Sequence, residues 1–124
     1  VATTVKDMLA AANAAVPQAT PEDVRALGET ALVVDLRDSA EIAATGKLAG
    51  AVNVTRGMLE FRADPDSPLH LAGFRRDRPV VLYCASGNRA ALAGKTLLDL
   101  GFSDVRNAGK FTELAAAGLG TEPG

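Results

Sequence analysis

The stretch Pro79-Val80-Val81-Leu82-Tyr83-Cys84-Ala85-Ser86-Gly87-Asn88-Arg89 decides the fold of this chain. Its first six residues are a short apolar run without polar alternation, as expected of a strand covered on both faces in a parallel sheet. Ala85-Ser86-Gly87 then makes a turn, and a helical stretch runs from Asn88 through Leu97 and Leu98 to Leu100, stopped by Gly101. Small residues come early in that helix (Ala90, Ala91, Ala93), so its leading end can lie close to the sheet. Strand, tight loop and helix in this order put Cys84 at the carboxyl end of a strand, where ligands bind in parallel α/β sheets.

The neighbouring segments fit the same plan. Ala31-Leu32-Val33-Val34-Asp35-Leu36 is a second buried-strand run, with weaker candidates at Ala51–Val54 and Asp104–Arg106 and a brief one at 18–20. Thr4 followed by Asp7 starts a helix that Pro17 ends, with Val5, Leu9, Ala12 and Val16 on one face. Thr20-Pro21-Glu22-Asp23 starts another, with an N-cap hydroxyl, a first-position proline and acids at the positive end of the dipole. Further helices are expected at Ser39–Ala44, Arg56–Arg62, Asn88–Leu100 and Lys110–Ala117, so strands alternate with helices as in an α/β domain with a mainly parallel sheet. Asp64-Pro65-Asp66-Ser67-Pro68 opens an aperiodic stretch to Arg78 that reads as a surface excursion, and 118–124 reads as a loose tail.

A chain of 124 residues is one domain, with its core within about 5–120. Its hydrophobic fraction of 48% is inflated by alanine, and its large apolar residues are mainly Leu and Val, which suits helices packed closely on a sheet. A net charge of -2 lacks the basic footprint of a nucleic-acid binder. No apolar run approaches a membrane span and no secretory signal is visible, which reads as a cytoplasmic chain; the start at Val1 leaves a removed segment open. One cysteine and one histidine exclude an internal disulfide and a Cys/His metal cluster. No dinucleotide or Walker-type loop is present, so no cofactor is expected. Any thiol chemistry therefore falls to Cys84 alone.

The loop after Cys84 suits such chemistry. Backbone N–H groups of Ala85, Ser86, Gly87, Asn88 and Arg89 can curl toward one point at the positive end of a helix dipole, and Arg89 adds a permanent charge. Both effects favour thiolate over thiol and would hold an anionic group attached to the sulfur. The competing reading is a small buried hydrophobe that ends a core strand.

Cys84-Ala85-Ser86-Gly87-Asn88-Arg89-Ala90 resembles the active-site loop of rhodanese-like sulfurtransferases. Val34-Asp35-Leu36-Arg37 with Glu41 resembles that family's Asp-x-Arg…Glu element, and Gly46–Val54 its Gly-His-Ile-Pro-Gly-Ala element. Arg56–Phe61 resembles an extension found in a single-domain bacterial subgroup. The resemblance implies a central, mainly parallel five-stranded sheet with helices on both faces. It also implies a Cys84 persulfide that passes sulfur from a small donor such as thiosulfate to a thiol or protein acceptor. Arg89 follows Cys84 after four residues, whereas related phosphatases carry Cys-x5-Arg; phosphatase or arsenate-reductase chemistry is thus the more distant alternative, beside a non-catalytic persulfide carrier. Lys47 and Ala49 replace the family's usual His and Pro, with turn stability as the expected consequence. Ala90 stands for Ser, and Ala108-Gly109-Lys110-Phe111 with Leu114 stands for Gly-Gly-Phe and a Trp.

Other residues invite roles. Asp35 and Arg37 should form an ion pair bracing the sheet edge, with Glu41 a further partner for Arg37. Arg56 could reach the same edge and bind a donor's sulfonate. Met58, Phe61 and Phe111 could wall a pocket, although core packing is the commoner fate at helical spacing. His70 lies in the aperiodic stretch with no partner that would orient it as a base.

Overall fold

In the computed structural model, which describes residues 1–124, both apolar runs become central strands of one sheet. In chain order the elements are α1 (Val5–Ala15), α2 (Pro21–Leu27), β1 (Leu32–Asp35), α3 (Ser39–Thr45), β2 (Lys47–Leu48), β3 (Val52–Asn53), α4 (Leu59–Ala63), β4 (Val80–Cys84), α5 (Asn88–Asp99), β5 (Val105–Lys110), α6 (Phe111–Ala116) and β6 (Thr121–Glu122), with 3-10 turns at Gly28–Thr30 and Arg56–Met58. The sheet order is β3-β1-β4-β5 and all its pairings are parallel. The brief strand expected at 18–20 contracts to a parallel bridge between Gln18 and Asn107. Ala19 N donates to the Asn107 carbonyl and Asn107 N to that of Pro17, both at 2.9 Å. Pro17 and Pro21 bound this stretch and leave it no room to lengthen. Four strands and a one-residue bridge thus stand close to the five-stranded sheet expected.

Side-chain alternation divides the core between the two faces. Val80, Leu82 and Cys84 point to one face with Leu59 and Ala63 of α4 and Ala90, Ala93 and Leu97 of α5. Val81 and Tyr83 point to the other, with Val24 of α2 and Phe111 and Leu114 of α6. Every residue of β4 is buried, which is why its sequence shows no alternation. Capping boxes start α1 and α2: the Thr4 and Thr20 hydroxyls accept from Asp7 N and Asp23 N, and each aspartate accepts from the capping residue's N–H. Gly94 lets the end of α1 lie against α5, because a Cβ there would meet the Val16 methyls at 2.8 and 2.9 Å.

Three expectations are revised. The stretch 64–78 lacks regular structure, yet it is no mere surface excursion. Phe74 is buried and meets Phe102 edge-on at 6.1 Å, and Arg78 donates to the carbonyls of Glu29, Thr30, Ala31 and Gly73. The end of the chain is not a loose tail, since β6 pairs antiparallel with β2. Lys47 joins this contact by donating to the Ala51 carbonyl at 2.7 Å and pairing with Glu122. The last sheet strand runs to Lys110 rather than Arg106, across a register shift opposite Leu82 and Tyr83. No helix is long and apolar enough to cross a membrane.

Candidate active site

β4 delivers Cys84 to the carboxyl edge, where the chain turns through exposed Ala85 and Ser86 into α5. Gly87 is the turn's pivot and the N-cap of α5, at φ 88° and ψ -11°, a left-handed conformation suited to glycine. There its N–H donates to Cys84 Sγ at 3.0 Å. Its carbonyl accepts from Ala91 N at 3.0 Å, the first turn of α5, and from Asn107 Nδ2 at 3.1 Å. Ser86 Oγ accepts from Asn88 N at 3.3 Å, so the five converging amides expected reduce to one directed at the sulfur. Cys84 itself is fully buried.

Asn107 was not among the expected site residues. It is buried in β5 where the register shifts; its Oδ1 accepts from Gly109 N at 2.8 Å while its Nδ2 holds the Gly87 carbonyl. One side chain therefore ties the irregularity of β5 to the pivot of the Cys84 loop. A polar residue followed by Ala-Gly in a strand was the available sign of a bulge near a functional loop.

The charged residues form two pairs. Arg37 binds Asp35 in the buried edge, Nη2 to Oδ2 at 2.9 Å and Nε to Oδ1 at 3.1 Å, and its guanidinium lies 4.1 Å from the centre of the Phe111 ring. The expected brace is present, but Glu41 does not complete it. Glu41 instead takes Arg89 in a fork, with Nη1 to Oε1 at 2.8 Å and Nη2 to Oε2 at 2.9 Å. The Arg89 bonds and then the Asp38 N–H hold the Glu41 carboxyl down at about 2. The same contact pushes Arg89 further up, so its charge is permanent but shared. Burial, followed by the neighbouring Asp35 carboxylate, pushes the Tyr83 phenol well above the ordinary tyrosine range; its oxygen accepts from Leu48 N at 3.0 Å.

Beside the loop lies a cavity of about 330 Å³ between Arg37, Glu41, Ala44, Ala85, Phe111 and Thr112. A larger cavity of about 600 Å³ touches the beginning of β1 and includes no residue of the Cys84 loop. Arg56 does not join the site. Its Nη1 meets Glu60 at 2.9 Å and its Nη2 meets Thr96 Oγ1 at 3.1 Å, two turns along α5 from the loop. Of the expected pocket wall only Phe111 is in place, stacked on Tyr83 at 6.0 Å, while Met58 and Phe61 are exposed. His70 Nε2 lies 2.9 Å from the Phe74 carbonyl, a contact that ties the aperiodic stretch together. No group of three or more His, Cys, Asp or Glu could hold a metal ion.

A family description of the rhodanese-like domain matches residues 20–112. The chain belongs to the rhodanese-like family. Among solved structures, a Rhodopseudomonas palustris protein described as of unknown function and a possible tyrosine phosphatase is 39% identical, covering 98% of this chain and 96% of its own at a TM-score of 0.88. The polysulfide-sulfur transferase homodimer of Wolinella succinogenes is 34% identical, covering 94% and 85% at a TM-score of 0.74. A human single-domain sulfurtransferase is 26% identical, covering 82% and 96% at a TM-score of 0.68. A search of curated protein sequences found no match.

Proposed function

We propose that this rhodanese-like domain is a sulfurtransferase that moves sulfane sulfur from a donor of the thiosulfate type to a thiophilic acceptor through a persulfide on Cys84. The observation that carries this reading is the 3.0 Å contact from Gly87 N–H to Cys84 Sγ at the head of a twelve-residue helix. That donor and the leading end of α5 lie where negative charge on the sulfur develops during transfer, and a charge-assisted bond is stronger than a neutral one. Attack by the thiolate on the donor's outer sulfur forms the persulfide and expels sulfite. A nucleophilic acceptor then removes the sulfur and restores the thiolate. The new sulfur stands about 2 Å beyond Sγ. There the Gly87 amide and the head of α5 would lie close to its negative charge. The Asp35–Arg37 pair braces the edge, and the Arg89–Glu41 pair ties the start of α5 to α3.

The relatives include sulfurtransferases and one possible phosphatase, and the loop favours the former. Four residues separate Cys84 from Arg89, and that arginine is forked onto Glu41. A phosphate would need more room and an available guanidinium. Steady-state transfer from thiosulfate to cyanide, run beside hydrolysis of an aryl phosphate, tests the assignment. Turnover on thiosulfate alone supports it. Turnover on the phosphate alone reverses it, and loading of sulfur without turnover indicates a carrier.

A further inference from the structure

The cavity beside the loop offers a donor little uncompensated positive charge. Both Nη groups of Arg89 are directed at Glu41, and Arg37 is bonded to Asp35. Lys110, the register partner of Cys84, has its ammonium 3.9 Å from Glu113 and does not line the cavity. Asp38 also lies close enough to act on Arg89. Of the charged residues that line the cavity, Arg37 and Glu41 balance, and the nearby Asp35 and Asp38 leave no net positive charge there. Ala44, Ala85 and Phe111 supply apolar lining.

We propose that Glu41 is a specificity-determining residue: it lines the cavity and neutralises Arg89 beside it, and so biases the site toward singly charged sulfane-sulfur donors with an apolar tail, and against dianionic thiosulfate. The inference rests on the sulfurtransferase reading and names the donor class within it. An alkanethiosulfonate illustrates the chemistry. A Cys84 thiolate electron pair forms a bond to the donor's outer sulfur as the donor's own S–S bond breaks. The electrons of that bond leave with the alkanesulfinate, and one negative charge remains on the persulfide. No proton, oxidant or reductant enters. Thiosulfate reacts by the same exchange but leaves as a sulfite dianion, so its second charge must approach Glu41. Repulsion of one unit charge across the cavity, partly screened, costs on the order of five-fold in kcat/KM.

Glu41→Gln isolates this effect. Glutamine keeps the side chain's shape and an acceptor oxygen for either Asp38 N–H, now at 3.0 Å, or Arg89, while the negative charge is lost. The experiment measures sulfur transfer to cyanide from ethanethiosulfonate and from thiosulfate at low salt, each divided by its uncatalysed rate. The wild-type protein should favour ethanethiosulfonate in normalised kcat/KM by about ten-fold. In Glu41→Gln, thiosulfate should gain about five-fold, through a lower KM, while ethanethiosulfonate shifts by less than about two-fold. Equal or better use of thiosulfate by the wild type would overturn the proposal, as would an equal shift of both donors in the variant. Should the variant not fold, salt decides on the wild type alone: added salt must narrow the gap between the donors, and an unchanged gap overturns the proposal. If neither donor yields thiocyanate, the sulfurtransferase reading itself fails; transfer without the predicted bias removes only the role of Glu41.

Discussion

Replacing Asn107 with alanine removes the link between β5 and the loop that holds Cys84. Two bonds are lost, Nδ2 to the Gly87 carbonyl at 3.1 Å and Gly109 N to Oδ1 at 2.8 Å. The Gly87 carbonyl keeps Ala91 N, but the Gly109 amide loses its side-chain acceptor. Gly109 is only half-buried, so water can replace its lost acceptor; at about 1 kcal/mol for each net hydrogen bond, destabilisation of about 1–2 kcal/mol is expected. Urea unfolding gives this value directly. The more telling measurement is the rate of sulfur loading from thiosulfate per folded molecule, which should fall about ten-fold as Gly87 loses the contact that fixes its N–H on Sγ. Leu97→Ala serves as a control, because truncating that buried helix residue costs about 2–5 kcal/mol without touching the loop. A loss of loading in Asn107→Ala but not in Leu97→Ala supports the coupling. Wild-type loading in folded Asn107→Ala would show that α5 holds the pivot unaided.

Three further outcomes follow from the same structure. Tyr83→Phe removes the oxygen that accepts Leu48 N–H and should cost about 1–2 kcal/mol, read as a lower urea midpoint at unchanged slope. Glu41, with its carboxyl lowered from 4.5 to about 2, contributes stability that is fully present above pH 4.5 and lost as pH falls toward 2. Because the pair is about one-third exposed, that contribution is about 1 kcal/mol after screening, and acid unfolding of Glu41→Gln should lack this component. Lys47→Ala releases the Ala51 carbonyl and Glu122, so amide exchange at Ala49, whose N–H donates to the Gly120 carbonyl at 2.8 Å, should quicken about five-fold with little change in global stability.

What could be read from the sequence was what local chemistry dictates. The unbroken apolar runs of β1 and β4, the Thr–Asp helix starts and the turn after Cys84 all declare themselves within a few residues. Partners brought together from afar did not. Glu41 lies one turn from Arg37 in sequence, yet folding carries Arg89 across 48 positions to take it. Nothing around Asn107 announces that its amide would meet Gly87, since that contact exists only once β5 lies beside β4. The β2–β6 pair was hidden for a similar reason: two residues at each side carry too little pattern, and the Lys47–Glu122 contact beside them forms only when the chain's end returns to β2. Arg56 was placed at the sheet edge by its position after a strand, but Glu60, one helical turn on, and Thr96 draw it away.

The most direct test is the intact mass of the wild-type protein and of Cys84→Ser after incubation with thiosulfate or ethanethiosulfonate, before and after cyanide. The wild type should gain one sulfur atom from at least one donor and lose it to cyanide, while folded Cys84→Ser gains none. Sulfur retained by the serine variant, or a wild type that stays unmodified with both donors, would contradict a persulfide on Cys84.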